Sequence, residues 1–347
     1  MFVFSILDLK RLFTILNRQT LLLKMSLYPL EKNKTHNYFT IAFYNLENLF
    51  DTFNDKHTRD DDFLPSSEKH WTQKRYNNKL KKLGYTISKI GAKISGNSPV
   101  IIGLAEVENR LVVADLIKSK GLKDTSYDIV HYDSPDERGI DVALIYNTKY
   151  FTVESSEVFA LNLFDEQGQR DYTRDILLVE GFLNNEKIYV LVNHWPSRRE
   201  GIHGSEKKRL LASDKVAEII DLIKQKDKNP KIIIMGDFND NPTNKSITQL
   251  VNMRNLYNPM EALLTHFKGS LNFKHQWNLF DQILFTTNFF EYNPEKHSFS
   301  KAHIFDSEFL KQFKGKYKGN PFRTFVGRKY KGGYSDHFPV YIHLKKG

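Results

Sequence analysis

The chain is 347 residues long, 40% hydrophobic, 13% aromatic and 27% charged, with no cysteine. This fits one large α/β domain or two smaller ones and excludes a disordered, collagenous or coiled-coil chain, a disulfide scaffold, a thiolate zinc site and a cysteine nucleophile. The formal net charge of +10 favours phosphate-bearing partners, although a basic solubility surplus accounts for it equally well.

The first 25 residues, MFVFSILDLKRLFTILNRQTLLLKM, are apolar but broken by Asp8, Lys10, Arg11 and Arg18. A membrane-spanning helix needs about 20 nearly uninterrupted apolar residues, and a signal peptide about 7 to 15 after its basic start. Neither pattern is present. Residues 1–36 are therefore expected to be an appendage, either disordered or translated from a misassigned start ahead of Met25, and residues 37–347 to be the folded domain. Stable membrane insertion is not expected, nor is an obligate protein partner, and the cytoplasm is the default location.

Short β-rich apolar runs follow at Phe39–Tyr44, Val100–Leu104, Asp141–Tyr146, Ile188–Val192, Ile232–Met235, Gln282–Phe285 and Pro339–Leu344. Their length, β-branched content and turn flanks predict strands. Between them, Tyr76, Leu80, Leu83, Ile87, Ile90 and Ile94 step by threes and fours, as a helix with one buried face requires. A second helix is predicted with Ser205 as its cap and Leu210, Leu211, Val216, Ile219, Ile220 and Ile223 as its stripe. There is no internal repeat and no low-complexity linker, so a single α/β domain from about residue 37 is expected.

Polar residues crowd the ends of these runs. Phe39–Tyr44 leads into Asn45-Leu46-Glu47, Val100–Leu104 into Ala105-Glu106-Val107-Glu108, and Ile188–Val192 into Asn193-His194-Trp195-Pro196-Ser197. Ile232–Met235 leads into Gly236-Asp237-Phe238-Asn239-Asp240, Asp281 opens the next run, and Ser335-Asp336-His337 precedes the last. Strand alternation would set Asn45 beside Glu47 and Asp237 beside Asn239. Each group alone has an ordinary structural role as a cap, turn or hydrogen-bonded core residue. Six strands in succession carrying such groups point instead to a shared site, because ligands of layered α/β proteins gather at strand ends.

Taken in order, FYNLENLF, LAEVE, NHWPS, GDFND, FDQILF and SDHFPV resemble the motif series of the endonuclease/exonuclease/phosphatase superfamily, from about Phe39 to Leu344. The wording is most similar to an uncharacterised bacterial branch. The resemblance implies a DNase I-like fold, a four-layer α/β/β/α sandwich of two mixed β-sheets flanked by helices. It also implies hydrolysis of a phosphoester by in-line attack of water. Oxygen donors without thiolate suit a hard cation, Mg²⁺ or Mn²⁺.

Carried over residue by residue, the resemblance makes Glu106 the principal metal ligand, with Asn45, Glu47 and Asp336 contributing directly or through water. Asp237 would orient and deprotonate the water, and Asn239 would help hold the phosphate. His337, oriented by Asp281, would stabilise the developing charge, and His194 would contact the phosphate and serve as acid for the leaving oxygen. Arg138 and Asp141 are rim candidates, for phosphate binding or for an internal network. Arg198 and Arg199 have two readings, a bidentate phosphate clamp or a solvated loop.

From Lys311 to Tyr334 the chain carries eight basic residues and no acid, interleaved with aromatics. Arg323 and Lys329 are candidates to hold a phosphate backbone here, and Tyr317, Phe322 and Tyr330 to stack on bases. The alternative is a solvated loop whose aromatics pack on the sheet. The leading expectation is a Mg²⁺-dependent nuclease on DNA or RNA. The alternative is a phosphatase or phosphodiesterase on a small-molecule or lipid phosphoester.

Overall fold

The computed structural model describes residues 37–347 apart from 166, 199 and 200. The expectations for residues 1–36 and for Arg199 lie outside the described residues. Tyr38–Lys346 forms one compact unit.

Two six-stranded sheets make its centre. The first runs Ser298–Ile304, Val340–Lys346, Asn37–Leu49, Ile101–Val107, Asp141–Asn147, Tyr127–His131; the second runs Leu256–Tyr257, Asp281–Thr286, Ile232–Asp237, Glu186–His194, Ile176–Leu183, Phe151–Phe159. Both are mixed, since Asn37–Leu49 pairs parallel with Ile101–Val107, and Glu186–His194 parallel with Ile232–Asp237. All seven predicted strands are present.

The alternation of side chains builds the layers. Ile41 and Phe43 point between the sheets, against Val190, Val192, Ile233 and Met235. Ala42 and Tyr44 point outward, into a core shared with Leu83 and Ile87 of the helix Gln73–Lys89 and with Val112 and Leu116 of the helix Arg110–Ile117. On the far side Leu191 and Ile234 meet Val216, Ile219 and Ile220 of the helix Gly201–Lys226. Strands covered on both faces read as unbroken apolar runs, which is why they were legible. The architecture is the expected four-layer α/β/β/α sandwich.

Several details depart from the sequence reading. Phe151–Phe159 and Ser298–Ile304 are strands that it did not mark, and their polar composition (FTVESSEVF, SFSKAHI) reflects partly exposed positions on edge strands. The Gln73–Lys89 helix stops before Ile94, because Ile90 is extended and Gly91 lies at φ +67°. A Cβ at Gly91 would fall 2.5 Å from Thr40 Oγ1. Ser205 is not a cap; it lies inside its helix, and its hydroxyl donates to Gly201 O at 2.7 Å. Leu211, expected in the apolar stripe, is exposed. Among the described residues, no helix is long and apolar enough to cross a membrane.

Candidate active site

The two central parallel pairs deliver their polar ends to one edge of the sandwich. In the second sheet Asp237 is paired with His194 on one side and with Asp281 on the other. Gly236 permits this packing, because a Cβ there would lie 2.4 Å from Asn193 O. From the first sheet, Asn45 Nδ2 donates to Asp237 Oδ2 at 3.0 Å across 192 residues of chain.

The residues just past the strands leave extended geometry. Glu47, Asn48, Glu106 and Asn239 all have positive φ, between 52° and 60°. For a glutamate this conformation costs about 1 kcal/mol or more, so surrounding contacts must hold it. Glu47 N–H donates to Asn45 Oδ1 at 2.9 Å, Asn48 N–H to Glu106 Oε2 at 2.8 Å, and Asn239 N–H to Asp237 Oδ1 at 3.0 Å. Strand alternation is thus the wrong reason for the pairing of Asn45 with Glu47 and of Asp237 with Asn239. Hooks from side chain to backbone hold these pairs, in a backbone that has already turned left-handed.

Four titratable groups surround the Asp237 carboxylate. His337 Nδ1 bonds Asp281 Oδ2 at 2.7 Å, and its Nε2 lies 4.0 Å from Asp237 Oδ2 and 3.9 Å from Asp336 Oδ1. His194 Nε2 is 3.9 Å from the same Asp237 oxygen. Burial opposes the His337 imidazolium, but Asp281, then Asp336 and Asp237, outweigh it and hold its pKa well above the usual imidazole range. Burial pushes the Asp237 carboxyl up to about 7, against the His337 charge and with help from Asp281. Asp336 is partly buried, which opposes its charge, yet His337, Arg323 and Lys79 keep its pKa low.

A second group lies around Glu47. Its Oε1 faces Arg323 Nε at 3.3 Å, and Thr324 N–H donates to its Oε2 at 2.6 Å. Arg323 also donates to Asp336 Oδ2 at 2.7 Å, so one guanidinium bridges the two carboxylates. Burial, then the nearby Asp336, raises the Glu47 pKa. Lys79 is buried beneath, donating to Glu47 O at 2.7 Å and Thr324 Oγ1 at 2.6 Å, and burial lowers its pKa to about 8. Glu47, Asp336 and Glu106, all close to Lys79 and Arg323, and the Asn45 amide offer hard oxygen donors of the kind that suits a divalent cation. Asp237, Asp281 and His337 form a tighter cluster, with ligand atoms within 4.8 Å of one another. There the short His337–Asp281 bond already uses one ligand from each of two residues.

The substrate-side candidates divide. Arg138 reaches the site and donates to Asn48 Oδ1. Asp141 does not: its carboxylate accepts from Ser134 N–H at 2.9 Å and Ser134 Oγ at 2.5 Å and contacts His131 Nε2 at 3.2 Å, which closes the loop before its strand. Arg198 is not a phosphate clamp in this arrangement. Its guanidinium is spent on Asn239 O (2.8 Å), Asp240 Oδ1 (2.6 Å) and Asn244 Oδ1 (3.0 Å), where it braces the GDFND turn. Lys329 is exposed on a small hairpin and bonds none of the carboxylates. Tyr330 and Phe322 are covered by Arg75 and by Lys82 with Tyr334, whereas Tyr317 is 45% exposed and stacks on His275.

Lys79 and Thr324 escaped sequence reading, and Ser335 entered it only as part of its motif, with no role of its own. Ser335 Oγ donates to Asn45 O at 2.7 Å and accepts His337 N–H at 3.0 Å. Lys79 did carry a signal, as a lysine set between Tyr76 and Leu83 on the apolar stripe of its helix.

The sequence matches the family model described as Endonuclease/Exonuclease/phosphatase family over residues 40–346. The chain belongs to the endonuclease/exonuclease/phosphatase family. Its members are phosphoesterase hydrolases that generally use divalent metals. None of the curated proteins matches this chain in sequence. Among solved structures, it is similar to a family member from Bacteroides thetaiotaomicron (17% identity, 90% of this chain and 96% of that one, TM-score 0.56). It is also similar to a mannosyl-6-phosphatase from Bacteroides thetaiotaomicron VPI-5482 (17%, 88% and 99%, 0.54). A third is TDP2 of D. rerio complexed with a single-strand DNA product (13%, 88% and 98%, 0.51). At these identities the likenesses show the fold.

Proposed function

We propose that this member of the family is a Mg²⁺- or Mn²⁺-dependent phosphodiesterase acting on nucleic acid. One observation carries the reading. A cleft of about 410 Å³, bordered by Lys274, Lys316, His275 and the exposed Tyr317, opens onto Arg323 and Asp336 at the carboxylate centre. Cations along a groove hold a phosphate backbone, and an exposed ring offers a face to an unpaired base. Glu106, Glu47, Asp336 and Asn45 are the residues that would hold the metal, which when bound supplies charge neutralisation at the phosphate.

The remaining chemistry falls to the side chains. Asp237 takes a proton from water as the water oxygen bonds to phosphorus and the ester P–O bond breaks. His194 delivers a proton to the departing oxygen. The His337 cation, held by Asp281, and the Asn239 amide stabilise the charge on the five-coordinate phosphorus.

The test is hydrolysis of linear single- and double-stranded oligonucleotides with Mg²⁺ or with EDTA, and by Asp237→Asn and His337→Ala. Chelator-sensitive cleavage lost in both variants is the expected result. A second reading, a phosphatase or phosphodiesterase on a small phosphoester, is favoured by a ligand-sized cavity of about 810 Å³ that starts beside Glu108. Turnover of bis-p-nitrophenyl phosphate without cleavage of any oligonucleotide would select it.

A further inference from the structure

Two cavities of opposite charge are connected to the carboxylate centre, one directly and one through chains of contacts. The basic cleft meets it through Arg323 and Asp336. The larger cavity, about 810 Å³, is lined by seven carboxylates and two basic side chains. Of these, Asp136 is paired with Arg174 at 3.0 Å and Glu137 with Arg59 at 2.8 Å. Asp51, Asp55 and Asp133 line the same cavity with no lysine or arginine partner among the described residues, while burial pushes the Glu108 carboxyl up to about 8 and leaves it mostly uncharged at neutral pH. Exposed Phe53 and Tyr172 complete its wall.

Two chains of contacts tie this cavity to the reacting groups. Arg138, between the lining residues Glu137 and Gly139, bonds Asn48, whose N–H holds Glu106. Asp136 holds Arg174, which donates at 2.8 Å to Trp195 O, the same oxygen that receives Asn239 Nδ2 at 2.9 Å. The cavity is therefore linked to Glu106 through Arg138 and Asn48, and to Asn239 through Arg174 and Trp195, by a wall different from that of the basic cleft.

A phosphate backbone fits one of these surroundings and is repelled by the other. Carboxylates within about 8 Å of a phosphate are incompletely screened by physiological salt. An uncharged sugar or base meets no such barrier, because carboxylates accept hydrogen bonds from its hydroxyl and amino groups, and aromatic rings cover its apolar face.

Building on the phosphodiesterase reading, we propose that the enzyme acts at chain ends. The strand lies along the basic cleft and the scissile phosphate at the carboxylate centre. The end nucleoside on the far side, carrying no further phosphate, occupies the acidic cavity.

The experiment compares a linear single-stranded oligonucleotide with unphosphorylated ends and the same sequence closed into a circle, both with Mg²⁺. It uses wild type and the double variant Asp55→Lys, Asp133→Lys, whose side chains are exposed and outside the catalytic set. Wild type is expected to shorten the linear strand at least tenfold faster than it opens the circle. Relative to its own rate on the linear strand, the double variant should open the circle severalfold faster than wild type does. Equal rates on circle and line by wild type would overturn chain-end action while leaving the phosphodiesterase reading intact. A circle just as resistant in the double variant would also overturn it, since the carboxylates would not be the barrier. Absence of chelator-sensitive hydrolysis of either strand would remove the phosphodiesterase reading itself, and this inference with it.

Discussion

Two buried histidine–carboxylate pairs occupy this sandwich with the same 2.7 Å bond, His337 with Asp281 and His297 with Glu186. They sit at opposite ends of the central strands. Glu186 begins the strand that His194 ends, about 26 Å away at the usual rise per residue. Their titration is opposite. Burial works against both imidazolium ions, but three carboxylates surround His337 and raise its pKa, whereas His297 shares its one carboxylate with Lys231 and its pKa is lowered. Glu186 is itself opposed by burial, yet His297 and Lys231 bring it down to about 2. A hydrogen-bond length alone therefore does not mark a catalytic histidine. The surrounding charge separates the two: three carboxylates around His337 hold it as a cation, and burial, helped by Asp281, brings Asp237 up to about 7, while the Glu186 cluster is balanced by Lys231.

Removing the reactive end should have the largest effect. Asp237→Asn or His337→Ala is expected to lower phosphodiester hydrolysis by about 10³- to 10⁴-fold, with the folded state retained by circular dichroism. A variant that keeps a tenth of wild-type turnover would show that the two ends do not differ in the way described. At the balanced end the effect moves to stability. Lys231→Met leaves Glu186 without its ammonium and should cost about 3 kcal/mol in urea unfolding, with turnover per folded molecule unchanged.

The pH dependence sharpens the contrast. With Asp237 as the proposed base, ionised above about 7, kcat/KM should fall about tenfold per pH unit below 7, and fall again on the alkaline side where His337 loses its proton. A flat profile from pH 5 to 7 would exclude Asp237 as the base.

The smallest effect is on the stability curve, and its sign differs between the ends. Asp237 binds its proton more tightly folded than unfolded, so wild type loses stability as pH rises from about 3.8 to about 7. Asp237→Asn escapes that loss, and its stability relative to wild type should rise across the same window. The other cluster behaves in reverse. His297, held neutral, contributes less below about 6.5, and the contribution of Glu186, present above about 4.5, is lost as pH falls through about 2. Thermal unfolding of wild type, Asp237→Asn and Glu186→Gln across pH 3 to 8 separates the two.

Much of the fold could be read because both sheets are sandwiched between apolar layers, so their inner strands are written as unbroken runs of β-branched and aromatic residues. The edge strands Phe151–Phe159 and Ser298–Ile304 were not readable, since exposure frees their outward positions from any apolar requirement, and the edge strand Tyr127–His131 and the inner strand Ile176–Leu183 were also missed, the latter despite its apolar sequence. In the site, strand-end polar residues and their motif order named Asn45, Glu47, Glu106, His194, Asp237, Asn239, Asp281, Asp336 and His337, and the fold brings them together. The arginines were less legible. Arg138 and Arg323 reach the carboxylate centre, but Arg198 turns into the protein to brace Asp240, and nothing in a run of loop arginines distinguishes these fates.

The sequence by itself thus determined the layers, the strands that meet at one edge, and the types of group those strands carry there. Only the tertiary structure decided which partner each group would have. The bond between Asn45 and Asp237 spans 192 residues, that between Thr324 and Glu47 spans 277, and that between Ser335 and Asn45 spans 290. Local pattern reflects burial, which every residue experiences through its own face of a strand or helix. Protonation state and ligand choice depend on the sum of charges within a few ångströms, and those charges come from distant parts of the chain.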